Sequence, residues 1–139
     1  MKRQIKFRGK EIQTGEWLYG SHYNDGAEDY ILENLPNSAL DFDERQIDQN
    51  TIGQFTGLQD SNGNDIYEGD ILKDKDWEVF EDKKSFVVSF DEISPRFLLG
   101  RTDGRSSNFQ LDATFANRSV IIANIHDNFE LLKGGEKCL

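Results

Sequence analysis

The sequence predicts a mainly β protein, α+β at most at its margins, and three observations lead there. Aromatic residues make up 12% of the 139 residues, ten of them Phe, and aromatic side chains suit a pleated, half-buried surface better than a helix. Apolar residues recur with period two in short runs, most clearly in Lys84-Ser-Phe-Val-Val-Ser-Phe90, the spacing of a strand with one buried face. Gly, Asn and Asp break these runs at close intervals, which suits a barrel or sandwich of many short strands. The length suits one ordinary domain. Residues 1–133 form it, as a single β-rich body or two closely packed lobes, and 134–139 form a flexible tail.

Ile5, Phe7 and Ile12 suggest the first strand, with Ile5 and Phe7 on one side and Gly9 and Gly15 as punctuation. Residues 8–14 would then link into a second strand over Glu16 to Tyr23, with Trp17, Tyr19 and Ser21 on one face and Leu18 on the other. A polar turn centred on Gly26 leads to a third short strand, Tyr30-Ile31-Leu32, which Pro36-Asn37-Ser38 ends. Between Ala39 and Asn50 two readings stand open. One is a helical turn over 43–48, capped by Asp41 or Asp43. The other, which we favour, is a loop with a short strand.

Further on, strands are expected at Ile71-Leu72-Lys73, at Trp77-Glu78-Val79-Phe80 and over residues 84–90, where Phe86, Val88 and Phe90 share one face. Arg96-Phe97-Leu98-Leu99 is another apolar piece. The segment 100–108, with two glycines, reads as a flexible loop. Phe109, Leu111, Ala113 and Phe115 alternate as a strand would. The run 119–125 is the most apolar and reads as a buried strand, followed by a terminal turn or short helix over 128–132.

The stretch from Thr51 to Leu72 carries the densest turn signals. Ile52, Phe55 and Leu58 anchor it, and Asn62-Gly63 suits a two-residue hairpin turn. Glu68-Gly69-Asp70 makes a second turn around a permissive glycine. The residues Gly53, Gln54, Phe55, Thr56, Gly57, Leu58, Asn62, Gly63, Ile66, Tyr67, Glu68, Gly69 and Asp70 resemble the signature of the YopX family of phage and prophage proteins. Two flanking pieces are similar as well: Ile5 to Arg8 with Trp17 to Gly20, and Val120 to Asn128 with Glu130-Leu131-Leu132. The middle, from Lys73 to Ser119, matches loosely. The chain departs from the family at Ala123, where Gly is usual, and at His126-Asp127, where Tyr-Glu is usual. Any role for those positions is therefore in question. The resemblance implies a phage or prophage origin and a β-rich fold with an SH3-like barrel part. It implies no reaction.

The net charge is −10, from 26 acidic and 16 basic residues. Direct nucleic-acid binding is not expected, because that needs a basic footprint. The single cysteine, Cys138, allows no internal disulfide and fits a reducing cytoplasm. The start, Met1-Lys-Arg-Gln-Ile, lacks the apolar core of a signal peptide, and no run reaches membrane-spanning length.

Candidate chemistry is sparse. Asp60, Asn62 and Asn64 sit at calcium-loop spacing, but the sixth place is Asp65 instead of Gly and the twelfth is Ile71 instead of Glu. A hairpin is expected there, with Asp60 or Asp65 bonding turn amides and Ile71 pointing inward. Glu68 and Asp70 could form a carboxylate pair if burial raised one pKa, but a turn would keep both in water. Asp70 is expected to accept hydrogen bonds from turn amides instead. His22 and His126 lack ligand partners at metal spacing, and neither a phosphate cradle nor a nucleophile motif occurs. Arg96, Arg101, Arg105 and Arg118 form a locally basic region, read either as ordinary surface charge or as contact for an acidic partner. No catalytic, cofactor-binding or metal residues are assigned, and no cofactor is expected. The leading expectation is a non-enzymatic interaction module that forms a homo-oligomer and meets a host or phage protein. The alternatives are an acidic decoy that mimics DNA for a host DNA-binding protein, and a hydrolase using carboxylates.

Overall fold

Strands form where apolar residues alternate, and the chain collects them in two antiparallel sheets. The structure, a computed structural model, describes residues 4–34, 42–79, 84–105 and 109–128. The chain divides into two units, Met1–Phe55 and Thr56–Leu139.

In the first unit, β1 (Phe7–Lys10), β2 (Trp17–Asn24), β3 (Asp29–Asn34), β4 (Phe42–Ile47) and the start of β5 (Gly53–Gln59) lie in the order β4-β3-β2-β1-β5. Beyond β1 the chain bends back to β4. Glu11 bridges Ile47, the Ile12 N–H donates to the Gln46 carbonyl at 3.1 Å, and the Asp48 N–H donates to the Lys10 carbonyl at 2.9 Å. These bonds close four strands into a small barrel, which satisfies edge groups that would otherwise invite pairing. Leu18, Ile31 and Ile47 fill it, with Phe7 and Ile52 packed against them.

Three expectations change here. Gly9 does not punctuate the first strand but lies inside it, opposite Leu18. A Cβ at Gly9 would overlap Cδ1 of Ile47, so the glycine marks a close approach of packed elements. Ile5 is exposed. The helical turn considered over 43–48 does not form, since those residues continue β4. A 3-10 turn follows at Gln49–Thr51, with the Asp48 carboxylate accepting from the Asn50 N–H. The break expected at Pro36-Asn37-Ser38 lies outside the described residues.

The second unit contains the end of β5, then β6 (Asp65–Tyr67), β7 (Asp70–Asp74), β8 (Ser85–Asp91), β9 (Arg96–Arg101), β10 (Phe109–Gln110), the short helix α1 (Ala113–Ala116) and β11 (Ser119–Asn124). Its five-stranded sheet runs β10-β9-β8-β7-β11. Ile66, Leu72, Phe86, Val88, Leu99, Leu111 and Ala116 form the core. Phe115 meets Phe86 edge-on at 5.5 Å, a favoured aromatic geometry.

Trp77–Val79 is a 3-10 turn instead of the expected strand. The alternation over 109–115 holds only for Phe109–Gln110. There the Asp112 carboxylate accepts from the Phe115 N–H and starts α1, as N-capping side chains do. The expected buried strand over 119–125 is an edge strand with a bulge between Ile121 and Ala123, and Ile122 is exposed. After β11, the Asn128 N–H donates to the Asn124 carbonyl. The rest of the expected terminal turn, the tail and Cys138 lie outside the described residues.

Candidate functional site

The two turns of the central stretch both lie in the second unit. Residues 60–64 connect β5 to β6, and the loop is longer than the expected two-residue turn. Among the described residues no non-glycine has a positive φ, so Asn62 cannot occupy the first position of a mirror-image turn. Gly63 alone takes the left-handed conformation, with φ 85°. The loop closes through the Asp60 N–H to the Asn64 carbonyl at 2.9 Å and the Gly63 N–H to the Asp60 carbonyl at 3.0 Å.

Asp60 organises this loop. It is 5% exposed. Its Oδ1 accepts from the N–H groups of Asn62 and Asn64, each at 2.9 Å, and its Oδ2 accepts from the Ile121 N–H at 3.0 Å. The Ser61 N–H donates to the Ser119 carbonyl at 2.8 Å. The loop thus caps the outer edge of β11, satisfying backbone groups that an edge strand would leave open. Both Asp60 carboxylate oxygens of that calcium-like spacing are thus taken up by main-chain amides. Asp65 accepts from the Gln59 side chain at 3.0 Å, and Ile71 is fully buried, as expected.

The second turn works similarly. Gly69 has φ 94°, its N–H donates to the Val88 carbonyl at 2.8 Å, and its carbonyl accepts from the Ile125 N–H at 2.9 Å. Asp70 Oδ2 accepts from the Tyr67 N–H at 2.7 Å, the turn amide bond expected of it. Contrary to the expectation of a solvated turn, Asp70 is only 2% exposed. Ile66 and Tyr67 are buried, and the Thr56 hydroxyl donates to the Ile66 carbonyl at 2.8 Å. Gly57 is left-handed and exposed, and Leu58 packs on the core. In the first unit, Gly53 and Gln54 pair with Arg8 and Phe7, and the buried Phe55 ring lies under Lys6 Nζ at 4.7 Å.

The first unit also holds a polar arrangement that the sequence did not announce. Arg45 grips Glu11 with two bonds, Nε to Oε2 at 3.0 Å and Nη2 to Oε1 at 2.7 Å. That guanidinium and the Thr14 hydroxyl hold the Glu11 carboxyl down at a pKa of about 2. Arg8, 5% exposed, places its guanidinium over the Trp17 ring at 4.6 Å. His22 Nε2 lies 2.7 Å from Asp29 Oδ1, and the Asn24 side chain donates to the same oxygen at 3.0 Å. The Asn24 and His22 bonds keep the Asp29 carboxyl below its ordinary range, against the opposing effect of burial. Beside it opens a cleft of about 180 Å3 lined by Ile12, Glu28, Asp29, Ile47, Asp48 and Gln49. Ligand pockets commonly span about 300–1,000 Å3, so this one suits a small group at most.

Each carboxyl shift resolved among the described residues, at Glu11, Asp25, Asp29, Asp74 and Asp103, is downward. These groups are hydrogen-bond acceptors held in the ionised form, the opposite of a general acid. The arginines of the later half are engaged too. Arg101 and Arg105 meet Asp103, Arg118 meets Asp74 and Asp76, and Arg96 meets Asp91. No cluster of three metal-ligating side chains occurs among the described residues, and none of their helices is long and apolar enough to cross a membrane.

The family model described as YopX protein matches residues 6–133. The chain belongs to the YopX family. The match runs through both turns of the central stretch and, Ile5 excepted, the two flanking pieces. Among solved structures, the crystal structure of protein EF1440 from Enterococcus faecalis is similar, with a TM-score of 0.56 and 23% sequence identity, covering 94% of this chain and 99% of that one. At that identity the likeness is one of fold. No curated protein matches the chain. In this YopX-family chain, Gly63, Gly69 and Asp70 of the signature form turns, and Phe55, Ile66 and Tyr67 are buried.

Proposed function

We propose that this chain is a non-enzymatic accessory protein of a phage or prophage, acting in the host cytoplasm as an interaction module that associates with copies of itself. The observation that carries the reading is that some large apolar side chains of the second unit remain exposed. At one end of the second unit's sheet, Phe109 on β10 is 58% exposed and Ile93, in the β8–β9 turn, is 94% exposed. Phe90, near Ile93 in sequence, is exposed and meets Phe97 edge-on at 5.2 Å. Apolar and aromatic groups at an open sheet edge favour association through that edge.

The acidic residues support the module over a decoy. Asp25, Asp60, Asp91 and Asp112 bond amides of their own turns, while Asp74, Asp76 and Asp103 pair with arginines. A DNA mimic would instead leave rows of free carboxylates. Native mass spectrometry of the full chain tests the reading. Species at multiples of the 16.0 kDa chain mass are expected, and a spectrum holding the single-chain mass alone at micromolar concentration would overturn it.

A further inference from the structure

We propose that Asn62 is a site of spontaneous deamidation, and that the Asp60 clamp holds the reaction back while the protein is folded. Asn62 is exposed at the loop tip, and its carboxamide makes no hydrogen bond to the described residues. The following residue is Gly63, and a Cβ built there would meet nothing within 4 Å. Glycine itself carries no side chain that would crowd its nitrogen against the neighbouring carboxamide.

The chemistry needs only water. The Gly63 main-chain nitrogen loses its proton and attacks Cγ of Asn62. The N–Cγ bond forms, the Cγ–Nδ2 bond breaks, and Nδ2 leaves as ammonia, so a five-membered imide joins the two residues. Water then opens the imide. Cleavage at Cγ gives aspartate, and cleavage at the main-chain carbonyl gives isoaspartate, which adds a carbon to the main chain.

The folded loop opposes the first step. The Gly63 N–H is bonded to the Asp60 carbonyl at 3.0 Å, and the Asn62 N–H is bonded to Asp60 Oδ1 at 2.9 Å. Attack requires the Gly63 nitrogen to leave its bond to the Asp60 carbonyl and lose its proton, in a loop that the Asn62 bond to Asp60 Oδ1 helps to hold closed. Reaction therefore proceeds through loop opening, and its rate is reduced by the fraction of time the loop is closed. Once formed, isoaspartate lengthens a loop whose closure depends on its atom count, since Asp60 also holds Asn64 and the Ile121 N–H of β11. The new carboxylate also sits two residues from Asp60. Conversion thus loosens the cap on the β11 edge.

The test is peptide mapping by mass spectrometry after incubation of the full chain in mildly alkaline buffer, with and without denaturing urea. In urea, Asn62 is expected to convert ahead of every other asparagine. Without urea its conversion is expected to slow by at least about tenfold, equivalent to an opening cost of about 1.4 kcal/mol. Asp60→Ala is expected to restore the fast rate. If that variant does not fold, the comparison in wild-type protein still decides. Equal rates with and without urea would overturn the clamp, and conversion in urea no faster than at other asparagines would overturn the site. Converted protein, separated by charge, is expected to melt below the unconverted form, and identical melting would overturn the link to β11.

Discussion

Gly69 shows how much rests on single positions of the signature. Its φ of 94° is reached easily only without a Cβ, and both of its main-chain groups are bonded, to Val88 and Ile125. Gly69→Val is expected to cost roughly 1–3 kcal/mol, read as a lower urea midpoint. An unchanged midpoint would show that the turn relaxes freely. Glu11 gives a pH dependence. Its carboxyl sits at about 2 in the folded chain against an ordinary 4.5, chiefly through its Arg45 bonds. A depressed carboxyl stabilises the fold above its unfolded value, and that contribution is lost as pH falls through the folded value. Wild-type stability is therefore expected to drop as pH falls from about 4.5 toward about 2. Glu11→Gln is expected to be the less stable protein at neutral pH and to lose less over that window. Parallel acid-unfolding curves for the two proteins would contradict the assignment.

At the scale of elements, the closure of the first barrel depends on the contact of β1 with Ile47. Gly9→Ala forces Ile47 off its site and is expected to destabilise by about 1–3 kcal/mol, as overpacked cores do. Thermal melting followed by circular dichroism measures this, and an unchanged melt would mean the barrel end adapts. The reach of sequence reasoning is visible in the same elements. β8 was legible because Phe86, Val88 and Phe90 alternate with Ser85, Ser89 and Asp91, so period two survives in the chain, whereas β2 turns the aromatic Tyr19 and Tyr23 outward and buries Leu18. The piece over 109–115 was not, because alternation of Phe109, Leu111, Ala113 and Phe115 also fits a strand end followed by one helical turn. The Asp112 cap decided it. At Trp77 the aromatic suggested a strand, yet Lys73 Nζ stacks over its ring at 4.2 Å within a 3-10 turn. The barrel closure at Glu11 and Ile47 and the Asp60 bond to Ile121 were hidden for a different reason. They join residues far apart in sequence, and no local pattern encodes them. The roles of Asp60 and Asp70 as turn acceptors were legible, because short acidic side chains next to glycine turns bond nearby amides. Their burial was not.

At the scale of the whole molecule, the buried signature side chains Phe55, Ile66, Tyr67 and Asp70 are enclosed by the fold, and the proposed association is assigned to apolar side chains that remain exposed. Ile93 is 94% exposed and belongs to neither core, so its substitution need not disturb folding, whereas Phe109 meets the core residue Phe86 edge-on at 6.2 Å. Ile93 thus makes the proposed association separable from stability. The decisive measurement is light scattering of the wild type and an Ile93→Ser variant over the micromolar range. The wild type is expected to weigh more than one 16.0 kDa chain, and the variant is expected to fall toward that mass with unchanged circular dichroism. A wild type that stays at the mass of one chain throughout would contradict the account.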